Sequence, residues 1–342
     1  MKITEGKRKG LERVANARGV IAALAIDQRG ALRSLFAKAK GIEVAAVPGE
    51  WLVQFKEAVS RILTVEASAI LLDPEYGLPA AKQRAKNAGL LLAYEKTGYD
   101  KTVPGRLPEL LAHWSVRRLI EAGADCVKIL LYYAPSSAAE INDQKHAWVE
   151  RIGAECVAAD VPFFLELVSY AEGMDEKGRE FAKCKPGVVT ASVAEFSKPR
   201  YAVDVLKVGV PVNMAFVEGS PSAGAEILYS REQAKTYFRE AAAAARLPFI
   251  YLSEGVSNET FEDALELAGE AGANFSGVMC GRATWKDGAG VFAQQGMNAL
   301  KDWLRSEGIR NIQRVNAKLS AACPWAESYE KGQAARLSGE KS

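Results

Sequence analysis

Eight short apolar runs, separated by helical patterns, constrain this chain more than any other feature. They are "GVIAALAID" (19–27), "ASAILLDP" (67–74), "GLLLAYEK" (89–96), "ADCVKILLYY" (124–133), "VPFFLELVSY" (161–170), "VDVLKVGVPV" (203–212), "LPFIYLSEG" (247–255) and "NFSGVMCGR" (274–282). Most are almost continuously hydrophobic, which is how strands buried on both faces of a parallel sheet read. The segments between them carry helix signals. Residues 47–67 are amphipathic. Residues 137–160 open with a Ser137–Glu140 capping box. Residues 257–273 start at an N-cap, Ser257 or Asn258, and end on glycine. Eight strand–helix units predict an α/β chain folded as a single-domain (β/α)₈ TIM barrel. A doubly wound open sheet is the nearest alternative. No repeat, low-complexity tract or Pro/Gly-rich linker divides the 342 residues. The barrel is therefore expected over 1–318, with a helix at its N-terminus, and 319–342 as a polar tail free to move.

The composition, 49% hydrophobic and 25% charged, supports a substantial core. Basic and acidic residues nearly balance, 44 against 42. That balance gives no reason to expect nucleic acid or an anionic membrane as a partner. The charged N-terminus reads as no signal peptide, and no apolar run reaches the roughly 18 residues of a membrane span. The five cysteines form no Cys-x-x-Cys pair. They fit reduced thiols and a cytoplasmic protein. The two histidines, His113 and His146, each lie in a segment that reads as helix. They are too few for a histidine-built zinc site; no cofactor is expected. A homo-oligomer is left open.

In such barrels the chemistry sits at the C-terminal ends of the strands. Here those ends carry Asp27, Asp73, Lys128, Glu166, Lys207, Ser253 and Arg282. A lone lysine in a strand ordinarily marks an edge or snorkels to water. Seven polar groups in register are harder to assign to packing, and they are expected to converge on one mouth. A lysine among other cations in a poorly hydrated pocket is driven towards its neutral form. The neutral amine attacks a ketone and gives an imine, an electron sink. Lys207 is the expected nucleophile, Lys128 its cationic neighbour, and Glu166 a group that can move protons. The turns "LSEGVS" and "CGRATW" follow the last two strands, where phosphate sites recur in barrels. Their glycines admit backbone N–H groups to an anion, and Arg282 offers a bidentate fork.

Together with "LAIDQRGALR", "ILLDPEYGLPA", "GLLLAYEKTGYD", "PFFLELVSY" and "DVLKVGVPVN", these motifs resemble the bacterial class I tagatose-1,6-bisphosphate aldolases, from about Thr4 to Leu304. The resemblance implies a metal-free lyase acting on a sugar phosphate. It cleaves D-tagatose 1,6-bisphosphate, and fructose 1,6-bisphosphate with it, to dihydroxyacetone phosphate and glyceraldehyde 3-phosphate. It implies Lys207 as the Schiff-base lysine, Glu166 as proton shuttle, Lys128 as active-site lysine and Asp27 as substrate-contacting acid. Gln28 and Arg29 fall at the pocket rim; Ser253, Gly255, Gly281 and Arg282 form the 1-phosphate cradle. The chain departs from the family pattern at Gly209, where many members are acidic, and at Glu254, where they carry alanine. Glu254 either points away from the phosphate or repels it. Three alternatives stand beside this reading: an aldolase for another ketose 1-phosphate, such as 6-deoxy-6-sulfofructose 1-phosphate; a barrel isomerase or epimerase, which leaves Lys207 unused; and a non-catalytic sugar-phosphate-binding barrel.

Overall fold

The computed structural model describes residues 3–96, 99–100 and 102–339. All eight expected strands form: β1 (Ile21–Ala25), β2 (Ala69–Leu72), β3 (Gly89–Ala93), β4 (Cys126–Tyr133), β5 (Phe163–Ser169), β6 (Val205–Val208), β7 (Phe249–Tyr251) and β8 (Gly277–Cys280). They pair in chain order, all parallel, and β8 closes onto β1. The closed sheet settles the choice between a (β/α)₈ barrel and an open sheet. The helices are α1 (Glu5–Val14), α2 (Gly30–Lys40), α3 (Gly49–Leu63), α4 (Leu78–Ala81), α5 (Val116–Glu121), α6 (Ala139–Ala158), α7 (Arg179–Phe196), α8 (Arg231–Ala244), α9 (Asn258–Glu270), α10 (Arg282–Trp303), α11 (Ile309–Ala317) and α12 (Trp325–Gly339). Among the described residues no helix is long and apolar enough to cross a membrane.

Alternation along the strands divides the apolar side chains between two cores. One parity packs against the helices. There Phe36, Phe55 and Phe292 meet with ring centroids 5.4–5.9 Å apart. The other parity fills the barrel: Ile21, Ala23 and Ala25 from β1, Ala69 and Leu71 from β2, and Leu91, Ala93, Cys126, Phe164, Val205, Ile250 and Met279 from the rest. Leu11 and Val14 of α1 join this inner cluster, as does Trp325.

Three local expectations differ from what forms. The segment after 318 is not simply polar. Leu319, Ala322 and Trp325 recur every three residues, and all three are buried. Cys323 N–H donates to the Phe275 carbonyl at 2.8 Å and Trp325 N–H to that of Gly19 at 2.9 Å, so this stretch packs against the barrel wall. Residues 340–342 lie outside the described residues. The Ser137–Glu140 capping box does not form. α6 begins one residue later, and its N-cap Ala138 carries no side-chain cap, because Ser137 N–H is held in a turn by the Ala134 carbonyl. His113 sits in an exposed turn before α5 rather than in a helix. His146 lies on α6, among the rings of Tyr133, Phe196 and Tyr201. At Ser257 the expected N-cap is present, its hydroxyl accepting from Thr260 N–H.

Candidate active site

The inward parity continues past the apolar layer. After Ala25, Ala93, Cys126, Phe164 and Val205, the next inward positions are Asp27, Glu95, Lys128, Glu166 and Lys207. Small alanines below leave room for these long side chains. Glu166 and Lys207 are register partners on adjacent strands. Lys128 is fully buried, and its Nζ donates to Asp27 Oδ2 at 2.9 Å and Glu95 Oε1 at 2.6 Å. Glu166 Oε2 lies 2.7 Å from that ammonium and 2.8 Å from Lys207 Nζ. One carboxylate therefore bridges two lysines. The nearest charge to Lys207 is Glu166, and Lys128 stands behind it.

The charges decide the protonation states. Burial pushes the Asp27 carboxyl up, but Lys128 and Lys207 outweigh it and hold the group well below the usual carboxylate range. Glu166 behaves likewise: burial works upward, and the same two lysines bring it below its ordinary value. At Glu95 burial prevails over Lys128, so this carboxyl is raised. Burial works against the Lys128 ammonium, yet Asp27, Glu166 and Glu95 raise it well above a normal lysine. The set is an ionised carboxylate on either side of a permanent cation. Among the described residues no group of His, Cys, Asp and Glu could hold a metal ion; these carboxylates gather on an ammonium instead.

Beside this cluster, the turns after β7 and β8 face each other. Gly255 has φ +83°, and an added Cβ would stand 2.7 Å from the Arg282 guanidinium carbon. Only glycine lets that guanidinium lie against the backbone. Arg282 is the first residue of α10, half-buried, and makes no ion pair among the described residues. Gly281 is the N-cap of that helix, and Gln28 Nε2 lies 3.5 Å from where its Cβ would be. Burial pushes the Cys280 thiol up to about 12, relieved in part by a hydrogen bond with Ser253, which ties the two turns together. Glu254 adopts φ +49° and turns its carboxylate to buried Lys185 of α7, 2.6 Å away. Its other oxygen fills the space over Gly209, where any Cβ would collide with it. The charge next to the expected phosphate is thus already paired.

Two strand-end residues stand apart. Asp73 is captured by Lys56 of α3, both fully buried, and its Oδ2 accepts from Tyr76 N–H at 2.8 Å. Arg29 is buried, with Nη1 2.5 Å from Glu75 Oε2 and Nη2 donating to the Glu95 carbonyl at 2.8 Å. It braces the backbone at Glu95. Glu95 itself was absent from the expected set, although it is the next inward position after Ala93, as Asp27 is after Ala25. Tyr99 and Tyr132, with centroids 4.9 Å apart, wall the same mouth. Both phenols are raised by burial, and the Glu166 charge acts on each.

Comparison with known proteins agrees with this fold. The DeoC/LacD family aldolase model matches residues 21–287. Tagatose 1,6-diphosphate aldolase 2 of Enterococcus faecalis is 55% identical over 325 residues, 94% of this chain and 96% of that one. Tagatose 1,6-diphosphate aldolase of Staphylococcus aureus is 51% identical over 323 residues, 94% and 98% of the two chains. Among solved structures, a fructose-bisphosphate aldolase from Slackia heliotrinireducens shares the fold, with a TM-score of 0.59 at 14% identity, covering 93% of this chain and 94% of that one. With a match spanning the barrel from its first strand to the turn that carries Arg282, the chain belongs to the DeoC/LacD aldolase family.

Proposed function

We infer that the chain is a class I, Schiff-base aldolase. It cleaves D-tagatose 1,6-bisphosphate, and fructose 1,6-bisphosphate with it, to dihydroxyacetone phosphate and glyceraldehyde 3-phosphate. One observation carries the reading: a buried lysine, Lys207, whose amine lies 2.8 Å from a carboxylate that a second buried lysine also touches. The substrate choice draws on the names of the two relatives above, at 51–55% identity.

The Lys207 amine adds to the C2 ketone, water leaves, and an iminium forms. The ionised Glu166 takes the proton of the C4 hydroxyl. The C3–C4 bond breaks, its electron pair enters the iminium to give an enamine, and glyceraldehyde 3-phosphate departs. Glu166 gives up that proton to the enamine at C3, and water hydrolyses the imine to release dihydroxyacetone phosphate and Lys207. Lys128 stays charged throughout and holds the substrate's oxygens with Asp27. Ser253, Gly255, Gly281 and Arg282 receive the 1-phosphate, with Gln28 beside them. Glu95, braced by Arg29, keeps Lys128 in place.

Borohydride added with dihydroxyacetone phosphate tests this. The expected result is a stable mass increase mapping to Lys207, absent in Lys207→Ala and in Lys207→Arg, whose guanidinium stays charged. An adduct that persists in those variants, or maps to Lys128, would overturn the assignment.

A further inference from the structure

Arg282 guards one side of the mouth, above β8. In a closed eight-strand barrel the strands opposite β7 and β8 are β3 and β4. That opposite side holds a second cationic group, which nothing above uses. The loop after β3 supplies Arg106 and α6 supplies Lys145, while Tyr132 and Tyr170 come from the ends of β4 and β5. Arg106 is only 8% exposed, its guanidinium 5.1 Å and 4.3 Å from the ring centroids of Tyr132 and Tyr170. Its Nε is buried without an acceptor. Lys145 is fully buried, donates to Tyr170 Oη at 3.1 Å, and has no carboxylate pairing with it among the described residues.

A packing strut would account for one stacked guanidinium. It does not account for a buried ammonium beside it, since each buried cation is costly without an anion. Two carboxylates stand near. Glu172 is engaged, accepting from Gly105 N–H at 2.7 Å and from Tyr170 Oη at 3.1 Å. Glu176 meets Arg106 Nη1 at 2.6 Å, but its side chain is 34% exposed on the loop between β5 and α7. It is therefore able to swing into water and yield to a stronger anion. The Tyr132 phenol links this corner to the chemistry. Burial raises it, and the charges of Arg106, Glu176, Glu166 and Arg282 all act on it.

We propose that Arg106 and Lys145 form a second anion site, across the mouth from Arg282, that takes the phosphate at the far end of the ketose chain, with Glu176 as the internal anion it displaces. The proposal rests on the aldolase reading above. The test compares kcat/KM for a ketose 1,6-bisphosphate with that for the ketose 1-phosphate. Arg106→Gln and Lys145→Met should each lower the preference for the bisphosphate by about 10²-fold, since each removes a buried ionic partner of one phosphate. Glu176→Gln should lower KM for the bisphosphate and leave that for the 1-phosphate alone, a gain that misfolding cannot produce. An unchanged preference in all three variants would overturn the assignment. Borohydride trapping of wild type with dihydroxyacetone phosphate, run alongside, reads the lysine chemistry alone. No trapping would overturn the aldolase reading and this site with it; trapping with an unchanged preference overturns only this site.

Discussion

Two fully buried lysines, one on a helix and one on a strand, sit in opposite electrostatic settings in this barrel. Lys56 meets one carboxylate, Asp73, whose second oxygen is capped by Tyr76 N–H. Burial pulls its ammonium below the ordinary value, and Asp73 offsets this only in part. Lys128 meets three carboxylates, and they raise it well above the ordinary value. Neither Lys56 nor Asp73 has a buried side-chain polar atom left without a partner. Around Lys128, Asp27 Oδ1 and Glu95 Oε2 are buried without hydrogen-bond partners. A closed pair stabilises a wall. An over-supplied cluster with spare acceptors has capacity for further hydrogen-bond donors.

The comparison can be broken in several ways. The largest effect belongs to Glu166→Gln, expected to lower kcat by roughly 10²–10⁴-fold while borohydride trapping survives. Near-normal kcat would move the proton transfer to Asp27. Arg282→Ala should cost about 2–5 kcal/mol in kcat/KM for phosphorylated donors and far less for dihydroxyacetone itself. Equal losses would make that arginine structural. On the other lysine the loss should appear in stability. Lys56→Met strands Asp73 and should cost about 3–5 kcal/mol in denaturant unfolding, with kcat per folded molecule retained. If kcat falls instead, the two lysines are not separate in role.

The smallest effect is the pH dependence. The folded-state carboxyl of Asp27 lies below its unfolded value, so the stability it contributes is present above the unfolded pKa, near ~3.9. It is lost as pH falls through the folded value. The melting temperature of wild type should therefore exceed that of Asp27→Asn by a few degrees at pH 7. The gap should shrink on acidification below about pH 4. A gap that stays constant would mean that Asp27 acts through packing rather than through its charge.

Legibility from sequence followed the range of the interaction. The strands were readable because burial on both faces writes itself into consecutive residues. Asp27, Lys128, Glu166 and Lys207 were readable because each continues the inward parity of its own strand. What escaped depends on residues far along the chain. Asp73 shares that parity, yet Lys56, on a helix 17 positions earlier, draws it off. Arg29 sits next to two mouth residues, and its partners, Glu75 and the Glu95 carbonyl, lie 46 and 66 positions further on. Glu95 continues the inward parity of its strand as well, so the same rule could have found it, and a bridge to Leu110 then fixes its backbone. Arg106 and Lys145 sit in a loop and on a helix, where a single cation carries no pattern.

The contact over Gly209 has a consequence for how relatives of this chain diverge. Glu254 fills the space that any side chain at 209 would need, and it also neutralises Lys185. A substitution at 209 therefore evicts the carboxylate and leaves a buried ammonium alone, whereas losing Glu254 first opens the space but strands the same lysine. Each single step is costly and the pair together need not be. Positions 209 and 254 should consequently exchange in concert across lineages, with an acid at one or the other, and Lys185 should travel with whichever holds it.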